Sequence, residues 1–262
     1  MTTDRTDAIA REIIRQHEAG EPFRNLEGDL APRDMAEAYA AQFRLQEIHA
    51  ETGRGALGGR KIALASKVQQ ALCGVDHPLA GGIFASEIHD SPATLDLAAY
   101  HGLGLEFELA VKLGADITPD DGPLDAAAAR GRVASIHPAF EMIIDRGADY
   151  SALNGLTMAA DNAWCAGIVL GPAIEGWREL DVDELSGALF WNDEPPATAR
   201  VGDADPFGSL AWVASVLTGA GRALKAGEVI ITGSVIRTRA PQAGDHVRYR
   251  IGETAEVELR IA

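Results

Sequence analysis

Three carboxylates and one lysine are the residues of this chain whose setting could do chemistry. In Gly104-Leu-Glu-Phe-Glu-Leu-Ala-Val-Lys-Leu-Gly114, with Leu103 just before it, the apolar residues Leu103, Leu105, Phe107, Leu109 and Val111 alternate. That period predicts a half-buried strand with one apolar face, and Glu106 and Glu108 share the other face. Two ionised carboxylates roughly 7 Å apart on one strand repel each other unless a cation sits between them. Mg²⁺ or Mn²⁺ would suit such a pair, since hard divalent ions prefer carboxylate oxygens and keep positions open for water or substrate. A solvated acidic edge strand is the other reading of the same spacing. A third carboxylate, Glu141, interrupts the apolar run Ile136-His-Pro-Ala-Phe-Glu-Met-Ile-Ile144. Its desolvation calls for a partner, either a metal or an arginine such as Arg146 or Arg132. Lys61 opens the apolar run Lys-Ile-Ala-Leu. Such surroundings are expected to lower its pKa and let it move protons near neutrality, unless it stays charged to hold a substrate carboxylate or snorkels to water.

These groups need a scaffold, and the chain is large enough to supply one. Its 262 residues, 47% hydrophobic and 24% charged, suit one globular domain with a small appendage. The net charge of −16 opposes binding to nucleic acid or an anionic membrane, and no apolar run reaches the roughly 18 residues of a membrane span. With no secretion signal in Met-Thr-Thr-Asp-Arg-Thr-Asp, a cytoplasmic protein is expected, and Cys73 and Cys165 are too few for a disulfide framework. Helices are predicted over 6–18 and from Asp34 to before Gly53, forming an N-terminal helical cap over 1–57. A glycine-rich hinge at 53–59 leads into a body over 58–262. There, short strands are expected at 61–65, 93–97, 103–113, 132–144, 166–170, 185–191, 228–232, 246–251 and 255–261, with helices at 66–73, 123–130, 154–161 and 208–223 and a turn-rich loop at 74–82. Helices do not alternate regularly with strands, so the fold class is α+β, a mixed β-roll or sandwich with a bent sheet. No G-x-G-x-x-G follows a strand, no P-loop or G-x-S-x-G elbow occurs, and His77, His89, His101, His137 and His246 lack zinc-ligand spacing.

Six segments carry a resemblance that spans nearly the whole chain: Gly59-Arg-Lys-Ile62, Gly74-Val-Asp-His-Pro78, Glu106-Phe-Glu108, Pro138-Ala-Phe-Glu141, Ala160-Asp-Asn-Ala163 and Leu224-Lys-Ala-Gly-Glu-Val-Ile-Ile-Thr-Gly233. In order and spacing the chain resembles the hydratase/decarboxylase family of 2-keto-4-pentenoate hydratase and 4-oxalocrotonate decarboxylase, within the fumarylacetoacetate hydrolase superfamily. The resemblance implies a Mg²⁺ or Mn²⁺ ion held by Glu106, Glu108 and Glu141, a small-molecule 2-oxo acid chelating that ion, and a homo-oligomer. It also implies departures. Leu79 stands where the hydratases carry an aspartate that takes part in proton transfer, Trp164 where they place a serine near the substrate, and Gly104 where an arginine is common. Arg237 replaces a smaller, more neutral residue, and Ser234 is a further substrate-binding candidate. Asp76 is left as the acid that could take over from the missing one. Asp161-Asn162 is expected to cap or turn the backbone, or to support the metal from behind its ligands, and His17-Glu18 to be an exposed helix end. Three functions fit: a metal-dependent lyase that hydrates a 2-hydroxydienoate or decarboxylates a 2-oxo diacid; a related hydrolase, isomerase or oxaloacetate-type decarboxylase; or a weakly active metal-binding subunit that partners a true hydratase or decarboxylase.

Overall fold

The two longest alternating runs become adjacent strands at the middle of a sheet. The computed structural model describes residues 2–262. Helices α1 (Thr2–Glu18) and α2 (Met35–His49) come first. The Asp34 carboxylate accepts from the Glu37 amide, giving one orphan N–H of the first turn of α2 a partner. A π-turn over Ala50–Arg54, with Gly53 at φ 116°, leads into β1 (Leu57–Ala63). Then follow α3 (Lys67–Leu72), β2 (Leu79–Phe84), β3 (Ile88–Asp90), β4 (Ala93–Leu95), β5 (Leu103–Leu113), α4 (Ala126–Gly131), β6 (Val133–Ile144), α5 (Gly155–Ala160) and β7 (Cys165–Leu170). The chain ends through β8 (Ser186–Trp191), β9 (Ala197–Arg200), α6 (Pro206–Gly219), β10 (Val229–Arg239), β11 (His246–Ile251) and β12 (Ala255–Ile261).

The strands form two mixed sheets, a seven-stranded one in the order β2-β1-β10-β5-β6-β7-β3 and a five-stranded one in the order β4-β12-β11-β8-β9. The expected α+β class and mixed sheets hold. Part of the expected loop at 74–82 is instead strand β2, whose glycines conceal it: Gly81 and Gly82 are buried, and a Cβ on Gly81 would meet Lys61 Cγ at 2.9 Å. Strand β5 is not half-buried. It lies between β10 and β6, and both its faces are covered. Its Phe107 face packs on Phe140, Trp191 and Tyr249, with ring centroids 5.9, 6.4 and 5.9 Å away, so the aromatic core joins the two sheets. Among the described residues the exposed large hydrophobics are Val68, Leu72, Tyr150 and Leu180, none of them in a strand.

Helices α1 and α2, the expected cap, pack against β2 and α5. Ile9 and Ile13 of α1 and Leu45 and Ile48 of α2 share a buried cluster with Leu79 of β2, Met158 and Ala159 of α5, and Trp164. No helix among the described residues is long and apolar enough to cross a membrane.

Candidate active site

The site lies on the β5 face opposite Phe107. Glu106 and Glu141 are direct cross-strand partners, and Glu108 stands two residues further along β5 on the same side. Like charges placed opposite each other destabilise a sheet, yet one carboxylate oxygen from each of the three lies within 4.8 Å of the others. Glu108 and Glu141 are fully buried. Burial, reinforced by the charge of Glu106, pushes Glu108 up to about 8 against the pull of the Gly233 amide. Burial likewise raises Glu141 well above the ordinary carboxylate range, although Lys61 opposes it.

Glu141's partner is neither Arg146 nor Arg132 but Lys61, whose Nζ is 2.5 Å from Glu141 Oε1. In a flat sheet β1 and β6 would stand roughly 14 Å apart, three strand spacings, more than the two side chains can span together. The sheet must therefore curl, and its concave face brings them together. Gly81, lacking a Cβ, leaves room for the lysine stem. Lys61 Nζ also donates to the Ala163 carbonyl at 3.1 Å. Burial alone would lower the Lys61 pKa, as expected from its apolar run, but Glu141 and Glu106 reverse the sign and hold it above its ordinary value. The sequence showed the apolar neighbours and not the carboxylates brought to them by the fold.

Strand β10 supplies the remaining support. Its register against β5 slips between Ile231 and Ser234 and again beyond. Gly233 takes φ 112° there, a conformation suited to glycine, and its freed N–H donates to Glu108 Oε2 at 2.6 Å. Ser234 Oγ accepts from the Phe107 amide and donates to the Ile236 carbonyl, completing the bulge. Thr238 Oγ1 donates to Glu106 Oε1 at 2.6 Å. Gly233 and Thr238 escaped the sequence reading; a glycine inside a β-branched run is the signal that could have marked the first.

A cleft of about 520 Å³ opens above the carboxylates, lined by Lys61, Glu106, Glu108, Ser234, Trp164 and Arg237 and walled by Leu72, Leu103, Ile143, Tyr150, Leu153 and Met158. Arg237 has no ion-pair or hydrogen-bond partner among the described residues. Two expected site residues are elsewhere. The Asp76 side chain is 98% exposed and outside the cleft lining, because the turn carrying it faces solvent. Leu79 is fully buried in the cluster beneath the cap helices, so its side chain makes core and not a substrate contact. His17 is more than an exposed helix end, since its Nε2 lies 2.6 Å from Asp161 Oδ1.

The residues present fit a divalent cation. Glu108 Oε1 and Glu141 Oε2 have no partner, and three carboxylates with one ammonium sum to a formal −2, the charge such an ion cancels.

No family model matches the chain. Among curated proteins it is 30% identical over 206 residues to a 2-keto-4-pentenoate hydratase of Paraburkholderia phymatum, a match covering 77% of this chain and 76% of that protein. It belongs to the 2-keto-4-pentenoate hydratase family. A family member from Paraburkholderia xenovorans is 29% identical over 261 residues, covering 98% of this chain and 95% of its own. The fold of 4-oxalocrotonate decarboxylase from Pseudomonas putida G7, solved with magnesium and adipate, superposes with a TM-score of 0.89 at 21% identity over 100% of this chain and 99% of that one. Three of the six segments noted in the sequence supply Lys61 and the three carboxylates.

Proposed function

We propose that this hydratase-family protein is a divalent-metal-dependent lyase acting on a 2-oxo acid or its 2-hydroxydienoate enol. The observation that carries this reading is the convergence of Glu106, Glu108 and Glu141, with Glu108 Oε1 and Glu141 Oε2 unpartnered, beneath a cleft lined by Glu106 and Glu108 and large enough for a small acid. In this reading these three residues hold Mg²⁺ or Mn²⁺, and the bound ion supplies Lewis-acid polarisation of the substrate's carbonyl. The chain's own residues do the rest. The Gly233 amide and the Thr238 hydroxyl fix the rotamers of Glu108 and Glu106, leaving their other oxygens free. Lys61, held cationic by Glu141, is the candidate catalytic residue: it is poised to donate a proton at Nζ or to grip a substrate carboxylate, and it starts as an acid rather than a base. Trp164, Leu103 and Ile143 exclude water from the carbon chain. Arg237 offers a guanidinium to a second carboxylate at the far end of the substrate.

Neither position expected to carry the hydratases' acid can do so, because Leu79 is core and Asp76 faces solvent. The same proposal therefore includes poor hydration of 2-hydroxypenta-2,4-dienoate and preference for a substrate with a terminal carboxylate. The test is a panel of 2-hydroxydienoates with and without that carboxylate, followed by loss of dienol absorbance and product identification with Mg²⁺, Mn²⁺ or chelator. Metal-dependent turnover supports a lyase, and no turnover of any member overturns it. Efficient hydration of the short monoacid overturns the substrate preference alone. A cytoplasmic homo-oligomer, and assembly with a related hydratase or decarboxylase, belong to the same proposal and are read by solution mass alone and in mixtures.

A further inference from the structure

Between α5 and β7 the backbone does something costly. Asn162, Ala163 and Trp164 take φ values of 52°, 50° and 61° in succession. Left-handed backbone costs an L-residue about 1–2 kcal/mol, and non-glycine residues visit it singly as a rule. Neither Ala163 nor Trp164 has a short polar side chain to offset that cost. The turn places two groups of the cleft, the Ala163 carbonyl that receives Lys61 Nζ and the Trp164 ring that walls the substrate chain.

Two devices over-determine it. Asn162 pairs with β2 as a strand would, its Oδ1 accepting from the Gly82 amide and its Nδ2 donating to the Gly82 carbonyl. Asp161, 2% exposed, is the other. Its backbone N–H donates to Thr157 at the end of α5, and its carbonyl accepts from Trp164 across the turn. Its Oδ2 pairs with Arg146, itself at φ 50° just after β6, and its Oδ1 with His17 in the last turn of α1. The Arg146 guanidinium lies 5.6 Å from the centre of the Phe23 ring, and that ring packs edge-on to Trp164 at 5.0 Å. One buried carboxylate thus joins the cap helix, the end of the ligand strand β6 and the strained turn.

We infer that Asp161 is a positioning residue for the active site: held by Arg146 and His17, it sets the left-handed turn that fixes Lys61 through the Ala163 carbonyl and Trp164 against the cleft. It goes beyond the lyase reading, and only its kinetic test rests on that reading. In the Mg²⁺-loaded protein, Asp161→Asn is expected to lower kcat on the best dienoate about 10-fold or more, with KM and oxalate affinity within about two-fold, because the carboxylate floor is untouched. Amide hydrogen exchange over 160–166 should rise while β5 stays protected. Leu217→Ala in α6, a core variant in a different buried cluster from the turn, serves as a control: it should melt earlier without a comparable loss of kcat. Should Asp161→Asn not fold, His17→Ala is expected to give a smaller loss in the same direction, and His17→Gln, whose amide can donate where Nε2 does, to recover it. Unchanged kcat and unchanged exchange at 160–166, or His17→Gln no better than His17→Ala, overturn the inference. If the wild type turns over no dienoate, the lyase reading fails by itself, and exchange at 160–166 still decides for or against Asp161.

Discussion

The floor of the cleft and the turn at 162–164 hold functional groups by opposite means. On the floor, regular strands carry Glu106, Glu108 and Glu141, and cross-strand register sets their spacing. At the turn, backbone in an unfavourable conformation carries a carbonyl, and its position depends on the side chains of His17 in α1, Gln46 in α2 and Arg146 just after β6, and on the Gly82 backbone of β2. The floor should therefore tolerate change around it and fail when a ligand is altered. The turn should weaken by degrees whichever support is removed.

The sharpest test of that contrast is Glu106→Gln combined with Glu108→Gln. It should abolish the melting-temperature rise on adding Mg²⁺, worth about 2.7 kcal/mol at 100 times the dissociation constant, together with turnover. An undiminished rise would put the cation elsewhere. Next in size, Lys61→Ala should cost roughly 10² to 10⁴ in turnover, as for a lost proton-transfer group, while the Mg²⁺-induced stabilisation persists. Near-normal turnover would reduce Lys61 to a structural cation.

A pH series separates floor from turn without mutation. Glu108 is raised from 4.5 to about 8 in the folded, metal-free chain. A carboxyl with a raised folded pKa stabilises fully below its unfolded pKa, and that contribution is lost as pH rises through the folded value. The chelated protein should therefore lose stability between pH 4.5 and about 8, and the melting-temperature gap between Mg²⁺ and chelator should widen over that window. A constant gap would mean that Glu108 is not at the cation. Smaller still, Arg237→Ala should lower kcat/KM for a dicarboxylic substrate about 10-fold and leave a monoacid unchanged, as for one charge-assisted contact that solvent partly screens. Equal losses on both would take Arg237 away from the distal carboxylate. Asp76→Asn should change neither measurably, and a clear loss would return the exposed turn to the mechanism.

The same contrast explains what could be read in advance. Glu106 and Glu108 were legible because alternation is a property of the sequence itself, and Glu141 because a carboxylate in an apolar run needs a partner. The positions of most strands along the chain followed from the same patterning. Lys61's charge state was left open because the carboxylates beside it come from β5 and β6, far away in sequence, and their convergence is written in no local pattern. Asp76 was misjudged because a motif fixes order along the chain and not the direction of a side chain. The Ala163 carbonyl and the Gly233 amide could not be seen at all, since every residue has both groups and only backbone geometry selects these two.

Phe107 stands between Glu106 and Glu108 and points the other way, into the rings that join the sheets. A slip of one residue in pairing β5 with β6 would therefore expel that ring and drive both carboxylates into the aromatic interior. Such a mispaired strand has no way to relax, because each face rejects what the other requires. The alternation that builds the site thus also guards the chain against register errors during folding, and it does so whether or not a cation is present to assist.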